Sequence, residues 1–123
     1  MSDTPKRIIG NYTEKLAKEY LLKKGLTFIF EQFRSPFGEI DLIMKHKNEI
    51  AIIEVRYRKN NFYGDPEETV TWHKQQRLIY SAMYFQQNRA WAQEYSLRFD
   101  IVSISGVQPN LRIIWIPDAF GVN

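Results

Sequence analysis

The 123-residue sequence contains no cysteine, and this absence excludes several kinds of site. Without cysteine there can be no disulfide framework, no thiolate nucleophile and no zinc site built on cysteine ligands. No segment approaches the ~20 apolar residues of a membrane-spanning helix, and the first residues lead into no long apolar stretch. We therefore expect one cytoplasmic domain covering residues 1–123, with no membrane association.

The composition that remains is that of a folded protein with a mild positive charge. Hydrophobic residues make up 44% of the chain and aromatic residues 15%, which excludes a disordered chain. The net charge of +3 fits a nucleic-acid partner but is too small to identify one. Any function must therefore be read from particular residues.

Two neighbouring strand-like segments, residues 38–44 and 50–58, have acidic residues within otherwise apolar runs. Because strand side chains alternate between faces, Asp41 shares a face with Ile43, and Glu54 shares a face with Ile52. The polar linker, residues 45–49, is short enough to predict an antiparallel hairpin. If Ile43 pairs with Ile52, Asp41 falls opposite Glu54.

This register places Asp41 close to Glu54 and Glu39 opposite Arg56. Directly opposed strand residues have Cβ atoms roughly 4.5–5.5 Å apart, a distance at which like charges are destabilising. The two carboxylates therefore need a cation between them or a raised pKa on one. Carboxylate ligands favour Mg²⁺ or Mn²⁺ over zinc. The alternative is a pair of charges at a sheet edge, neutralised by Arg56 and lysine neighbours.

The rest of the chain predicts two helices and three further strands. Apolar residues at helical spacing indicate a first helix over residues 6–24, with Tyr12, Leu16, Ala17, Tyr20 and Leu21 forming its buried stripe. A second helix begins at a cap supplied by Asp65 or Thr71. Its buried stripe is Leu78, Ile79, Ala82 and Phe85, and Lys74 points toward the sheet. The other strands are predicted over residues 26–33, 97–104 and 111–116.

Several motifs together resemble the bacterial YraN-like family. They are Gly10, Glu14, Ala17 and Tyr20-Leu21; Gly38-Glu39-Ile40-Asp41-Leu42-Ile43; Glu54-Val55-Arg56-Tyr57-Arg58; and Arg98-Phe99-Asp100-Ile101-Val102. That family is placed in the restriction-endonuclease-like superfamily and is similar to archaeal Holliday-junction resolvases. The resemblance implies an α/β fold in which a mixed sheet of about five strands is flanked by helices, in the order α-β-β-β-α-β-β.

The resemblance also implies a metal-dependent nuclease site. By position, Glu14 is the helix acid, Asp41 the strand acid and Glu54 the second acid, and Arg56 stands where the superfamily usually has lysine. Arginine remains charged in proteins, so Arg56 can stabilise negative charge but cannot act as a general base. Lys74 is the candidate to take over the role of that lysine. A metal ion, Mg²⁺ or Mn²⁺, would bind Asp41, Glu54 and the carbonyl of Val55.

Basic residues near these acids predict a nucleic-acid partner, and DNA is the expected one. Arginine matches phosphate geometry, and the expected phosphate-contacting residues are Arg34, Arg56, Arg58, Lys74 and Arg77. Resolvase-like relatives act as two-fold dimers, so a homodimer is one expected state. Two other functions remain open: a noncatalytic nucleic-acid-binding or scaffold module that keeps the nuclease fold, and a structural partner in a larger complex.

Other polar and aromatic residues have simpler interpretations. His46 and His73 are expected to be surface histidines, and Asp100, in Arg98-Phe99-Asp100, is expected to form a structural salt bridge rather than belong to a site. The pair Gln76 and Tyr80 resembles a Gln-X-X-X-Tyr signature of some nucleases, but such spacing is common on helices. A second group of side chains is expected in the core rather than in a base-stacking platform, namely Trp72, Tyr80, Tyr84, Phe85 and Trp91.

Overall fold

The computed structural model describes residues 4–59 and 69–122. Helix α1 (Pro5–Lys23) is followed by strands β1 (Thr27–Ser35), β2 (Gly38–His46) and β3 (Glu49–Arg58). Helix α2 (Trp72–Gln87) and a short 3₁₀ helix (Ala90–Glu94) precede β4 (Ser96–Ser105) and β5 (Arg112–Phe120). The predicted order, α-β-β-β-α-β-β, is confirmed.

The five strands form one mixed sheet in the order β1-β2-β3-β4-β5. β1, β2 and β3 are antiparallel neighbours, β3 and β4 are parallel, and β4 and β5 are antiparallel. The parallel pair requires a crossover between β3 and β4, and α2 lies within it. As a result, the N-terminal end of α2 lies close to the end of β3.

The two helices cover opposite faces of the sheet and create two hydrophobic clusters. On one face the buried α2 residues Leu78, Ile79, Ala82 and Phe85 pack with Ile43 and Ile52, as the helical spacing predicted. On the other face Ala17 and Leu21 of α1 pack with Leu42, Ala51 and Ile53. Tyr12 was predicted in the buried stripe of α1, but it is exposed.

Local chemistry explains where the helices begin. The Thr4 hydroxyl accepts a hydrogen bond from the Arg7 amide at 3.3 Å and caps α1, which has proline in its first turn. The Thr71 hydroxyl accepts one from the Lys74 amide at 3.2 Å and caps α2. Of the two predicted caps of α2, Thr71 is thus confirmed. Asp65 lies outside the described residues.

Both edges of the sheet are irregular. β1 changes register between Phe28 and Phe30, and Gln32 has a φ of 51°. β5 contains Pro117, and Asp118 has a φ of 52°. Such features interrupt the regular row of backbone groups that an edge strand otherwise presents. Of the helices in the described part of the chain, none is both long and apolar enough to cross a membrane.

Candidate active site

The sheet brings Asp41 and Glu54 together, as the hydrophobic pattern predicted. Ile43 pairs with Ile52 and Leu42 with Ile53 in the β2–β3 ladder, and Asp41 and Glu54 are the next residues on each strand. Beyond these pairs, the backbone amide of Val55 donates to a side chain instead of a backbone carbonyl. The acceptor is Asp41 Oδ2, at 2.8 Å. The carboxyls of Asp41 and Glu54 lie close enough to interact, and each affects the pKa of the other. The two acids therefore form a direct pair.

The strand alternation breaks at Asp41, and this corrects one prediction. Ile40 packs in the cluster beneath α2 and Leu42 in the cluster beneath α1, although they are two residues apart. Asp41 lines a cleft with residues of α1, whereas Ile43 packs beneath α2. Asp41 and Ile43 thus do not share one face as predicted. The carboxyl pair lies at the boundary between the two faces, within reach of both helices.

Glu39 is also placed differently from the prediction. It forms an ion pair with Arg34, its cross-strand neighbour on β1, with Arg34 Nε and Glu39 Oε2 3.5 Å apart. It was predicted to lie opposite Arg56, but Arg56 is held by other residues. Glu39 is therefore a surface ion-pair residue beside the acid pair rather than a member of it.

Burial sets the protonation of the acid pair. Burial, the hydrogen bond with Asp41 and the charge of Asp41 raise the pKa of Glu54 to about 8, against the opposing effect of Lys74 and Arg56. Burial also raises the pKa of Asp41, although hydrogen bonds from Glu54 and the Val55 amide oppose this. Near neutral pH the carboxyl of Glu54 is consequently protonated.

Glu14 approaches the same pair from α1. Thr13 and Ala17 are buried, and Glu14 lies half-buried at the border of this face. Its Oε2 accepts a hydrogen bond from the side-chain amide of Gln32 at 3.3 Å, and its carboxyl interacts with that of Asp41. Burial raises the pKa of Glu14, and the interactions with Gln32 and Asp41 oppose the rise. No pattern in the sequence indicates Gln32 as a partner of Glu14.

Two cations contact Glu54 from the side of α2. Lys74 Nζ lies 3.3 Å and Arg56 Nη1 3.6 Å from Glu54 Oε2. Arg56 is held in place because its Nη2 donates to the Thr69 carbonyl at 2.9 Å and its Nε to the Thr69 hydroxyl at 3.3 Å. The prediction that Lys74 points toward the sheet is confirmed, and it lies beside Arg56 at the acid pair.

The donor set suits a hard divalent cation, although it is incomplete as it stands. Within residues 4–59 and 69–122, no three His, Cys, Asp or Glu side chains are arranged to hold a metal ion. The oxygen donors that could hold one are Asp41, Glu54 and the Val55 carbonyl, with Glu14 adjacent. A buried carboxylic acid next to another carboxyl can exchange its proton for a cation. Loss of the proton would leave two negative charges side by side, and a bound cation neutralises them. The oxygen-only set fits Mg²⁺ or Mn²⁺.

A cleft of about 280 Å³ gives access to Asp41 from the side of α1. Its lining includes Asp41, Glu14 and Val55 together with Lys6 and Tyr57, two residues that the sequence analysis did not select. Lys6 could have been found as a cation two turns before Glu14 on the same helix. Asp41 and Glu14 are thus reachable through this cleft, whereas Glu54 is buried behind them.

The predicted phosphate-contacting residues divide into two groups. Lys74 and Arg77 line a small cleft of about 90 Å³ with Gly38 and Glu39, next to the exposed Arg34. Arg58 lies at the C-terminal end of β3, where it pairs with Ser105 of β4. The structure thus assembles Arg34, Lys74 and Arg77 around the β1–β2 turn.

A second buried acid has a different environment. Asp100 and Arg98 form a two-pronged ion pair, with Arg98 Nε 2.9 Å from Oδ1 and Nη2 2.8 Å from Oδ2. The Trp115 indole and the Asp118 amide also donate to Asp100, at 3.0 and 2.9 Å. The predicted salt bridge is confirmed. His46 Nδ1 lies 2.8 Å from Arg98 Nη1, so His46 belongs to this cluster and not to a surface loop as predicted.

Most of the aromatic residues predicted in the core are exposed. Phe85 is buried as expected, but Trp72, Tyr80, Tyr84 and Trp91 are exposed to solvent. Tyr80 and Tyr84 lie on the outward side of α2 and contact Phe37 of the β1–β2 turn. This surface adjoins the group of basic residues described above.

Comparison with known proteins gives matches along most of the chain. The sequence model of the uncharacterised protein family UPF0102 matches residues 13–104. A UPF0102 protein of Aliivibrio salmonicida is 40% identical over 115 residues, which cover 93% of this chain and 92% of that protein. One of Coxiella burnetii is 44% identical over 114 residues, and one of Vibrio vulnificus is 42% identical over 115 residues. The Coxiella match covers 93% of this chain and 92% of its relative, and the Vibrio match covers 93% of each.

Proposed function

The chain belongs to the UPF0102 family, and from the acid pair in its sheet we propose that it is a divalent-metal-dependent endonuclease that hydrolyses DNA phosphodiester bonds. The observation that carries this proposal is the direct contact of Asp41 with Glu54, with Glu14 on one side and Lys74 and Arg56 on the other. The placement in the restriction-endonuclease-like superfamily is part of the proposal.

Each side chain has a role in this proposal that follows from its position. When bound, Mg²⁺ or Mn²⁺ supplies Lewis-acid stabilisation of phosphate oxygens and lowers the pKa of water. Asp41 and Glu54 would hold the ion in their deprotonated forms, with the Val55 carbonyl as a third donor. Glu14 would bind it from α1, directly or through water. These donors come from three different elements, so the fold must be intact for the site to exist.

Arg56 and Lys74 have roles that a carboxylate cannot fill. Arg56 keeps its charge at every physiological pH, so it stabilises the negative charge that develops on the phosphate. Lys74 Nζ lies 3.3 Å from Glu54 Oε2, where it can orient the attacking water in place of the usual lysine. If Glu54 held a divalent ion, Lys74 would be available to the phosphate, whereas Arg56 would stay anchored on Thr69.

We propose that the substrate is recognised by shape rather than by base sequence. Arg34, Lys74 and Arg77 offer contacts to phosphates, and such contacts carry no sequence information. Branched DNA of the repair and recombination pathways, in the cytoplasm, is the substrate class that the resemblance to resolvases favours. DNA distortion would then determine where the chain cuts.

The test is cleavage of branched, nicked and single-stranded DNA in Mg²⁺ or Mn²⁺. Asp41→Ala and Glu54→Ala should each abolish cleavage while leaving the far-UV circular dichroism spectrum unchanged. Glu94→Ala is a suitable control, because Glu94 is an exposed acid on the 3₁₀ helix, away from the pair. Metal-supported cleavage that survives in both site variants would overturn the assignment.

A second function, noncatalytic nucleic-acid binding on the same fold, is favoured by one feature. Arg56 stands where a lysine is usual, and it is tied to Thr69 by two hydrogen bonds. A binding module predicts salt-sensitive association with DNA and no turnover in Mg²⁺ or Mn²⁺. In that case Arg56→Lys should not create cleavage activity, whereas a nuclease should keep or gain activity with lysine at this position.

A further inference from the structure

A patch of exposed aromatic side chains lies beside the acid pair. Phe37, Tyr80 and Tyr84 are 46%, 51% and 37% exposed. We call Phe37, Tyr80 and Tyr84 the aromatic patch. Exposed aromatic rings close to one another are unusual on a surface without a binding role.

The rings of the aromatic patch are held in a fixed arrangement. The ring centroid of Phe37 lies 5.6 Å from that of Tyr80, and the planes of these two rings are inclined at 35°. The centroid of Phe37 lies 6.5 Å from that of Tyr84. The turn that carries Phe37 is tied to α2, because the hydroxyls of Ser35 and Ser81 are 2.8 Å apart. The Phe37 amide also donates to the Ser35 hydroxyl at 3.0 Å. A ligand would therefore meet a preformed surface.

Charge around the aromatic patch favours an anionic ligand. Helix α2 contains Lys74 and Arg77 and has no aspartate or glutamate between Trp72 and Gln87. Arg77, Tyr80 and Tyr84 recur at spacings of three and four, so they lie on one side of the helix. Arg34, which is paired with the nearby Glu39, has a side chain that is 80% exposed. Flat rings among cations match a ligand with both bases and phosphates.

We propose that the aromatic patch stacks the bases of single-stranded nucleic acid next to the acid pair. In a duplex the faces of the bases are stacked on one another, whereas single-strand-binding proteins combine a basic groove with aromatic rings that take up successive bases. The inference rests on the proposed function, since it names the unpaired part of the substrate that the acid pair would cut. It predicts a preference for single strands or for branched DNA with unpaired segments.

The distance between the aromatic patch and the acid pair fits one substrate strand. Lys74 contacts Glu54, and Tyr80 follows six residues later, which is roughly 9 Å along the helix axis at 1.5 Å per residue. A base stacked on Tyr80 would thus flank the phosphate at the acid pair. Arg77 lies between the two positions and would contact the connecting backbone.

The test is fluorescence anisotropy with a labelled single-stranded oligonucleotide and a blunt duplex of equal length, both in EDTA, so that no metal and no cleavage are involved. The wild-type protein should bind the single strand more tightly. Tyr80→Leu and Phe37→Leu should each weaken that binding about five- to a hundredfold, because stacking contributes ~1–3 kcal/mol per base. Tyr80→Phe should retain it, since the ring remains.

Tyr12→Leu is the matched control, because Tyr12 is a 45% exposed tyrosine on α1, beyond the opposite face of the sheet. Its single-strand affinity should equal that of the wild type. Equal binding of duplex and single strand, or unchanged affinity in Tyr80→Leu, would overturn the inference. A shift from dimer to monomer in Tyr80→Leu, with oligonucleotide binding intact, would instead assign the patch to a protein contact and also overturn it.

These results separate the inference from the proposed function. If Asp41→Ala abolishes Mn²⁺-dependent cleavage and Tyr80→Leu binds normally, only the inference fails. If Tyr80→Leu loses single-strand binding but no metal supports cleavage by the wild type, the stacking surface stands and the nuclease proposal fails. A wild type that binds no oligonucleotide at low salt would overturn both.

Discussion

The sheet buries two sets of acidic side chains, and they are satisfied in opposite ways. Asp100 receives four hydrogen bonds, two from Arg98, one from the Trp115 indole and one from the Asp118 amide. Glu54 is buried against another carboxyl, and its two cations stay 3.3 and 3.6 Å away. The first arrangement has no capacity left for a ligand. The second retains an electrostatic conflict that a cation would relieve.

This comparison distinguishes a structural acid from a candidate catalytic one. Arg98 has a raised pKa because Asp100 and Glu49 outweigh the opposing effect of burial. At the acid pair burial prevails instead, and it raises the pKa values of both Asp41 and Glu54. Perturbed acids in a cleft are typical of functional sites, whereas a matched ion pair mainly holds strands in place.

The largest effect is expected from breaking the satisfied cluster. Asp100→Ala leaves Arg98 buried without its partner, so the free energy of unfolding should fall by about 3–5 kcal/mol in urea titrations. The double variant Arg98→Leu with Asp100→Leu should recover most of that loss, because no buried charge remains. A loss below about 1 kcal/mol in Asp100→Ala would show that the cluster does not stabilise the fold.

The next largest expected effect is a dependence of the free energy of unfolding on pH, which arises at the acid pair. Glu54 has its pKa raised from 4.5 to about 8, so the stability linked to its neutral form is complete below about pH 4.5. It is lost as the pH rises through about 8, and the free energy of unfolding should fall by a few kcal/mol across this window.

Glu54→Gln should flatten this pH profile, because glutamine keeps the neutral shape and does not ionise. Asp41→Asn should move the fall to lower pH and make it smaller, because it removes a charge that raises the pKa of Glu54. Urea titrations at several pH values between these limits give the measurement. A Glu54→Gln profile as steep as that of the wild type would contradict the assignment of this pH dependence to Glu54.

A divalent metal ion should stabilise the folded protein by binding at Asp41 and Glu54, and not at Asp100. A ligand that binds only the folded state at a hundred times its Kd raises the free energy of unfolding by about 2.7 kcal/mol. Mn²⁺ near pH 8 should therefore raise the Tm of the wild type, and raise it less at pH 5, where protons compete. Asp41→Asn should remove the shift and Glu94→Gln should keep it. Equal shifts in these two variants would place the metal elsewhere.

The smallest effect on stability is expected at an exposed pair, Arg34 with Glu39. Solvent screens this pair, whose Arg34 Nε and Glu39 Oε2 lie 3.5 Å apart, so Arg34→Ala should change stability by no more than about 0.5 kcal/mol. If Arg34 contacts phosphate, the same variant should lower the slope of log affinity against log salt by about 1. An unchanged slope would remove Arg34 from the interface.

The sequence predicted the register of the acid pair because apolar residues specify it strongly. Ile43 and Ile52 can both be buried only if they pair, and that pairing places Asp41 next to Glu54. The buried stripe of α2 and the inward direction of Lys74 follow from helical spacing in the same way. Membership in UPF0102 agrees with the resemblance found in these motifs.

Other features have no signal of that kind. The break in alternation at Asp41 lies beside Gln32, whose φ of 51° is rare for glutamine and is imposed by the tertiary structure. The aromatic residues of α2 were placed in the core because they are large and apolar. Large apolar residues lie on two sides of α2, and helical spacing alone does not tell which side is buried. Packing against the sheet covers Phe85 and leaves Tyr80 exposed.

The irregular outer strands bear on how two copies of this protein could meet. A strand donated by another chain would need an uninterrupted row of amides and carbonyls. β1 interrupts that row with its register shift and Gln32, and β5 does so with Pro117. Continuation of the sheet from one copy into the next is therefore disfavoured. A second copy of this chain would therefore attach through helices or loops rather than through the sheet edges.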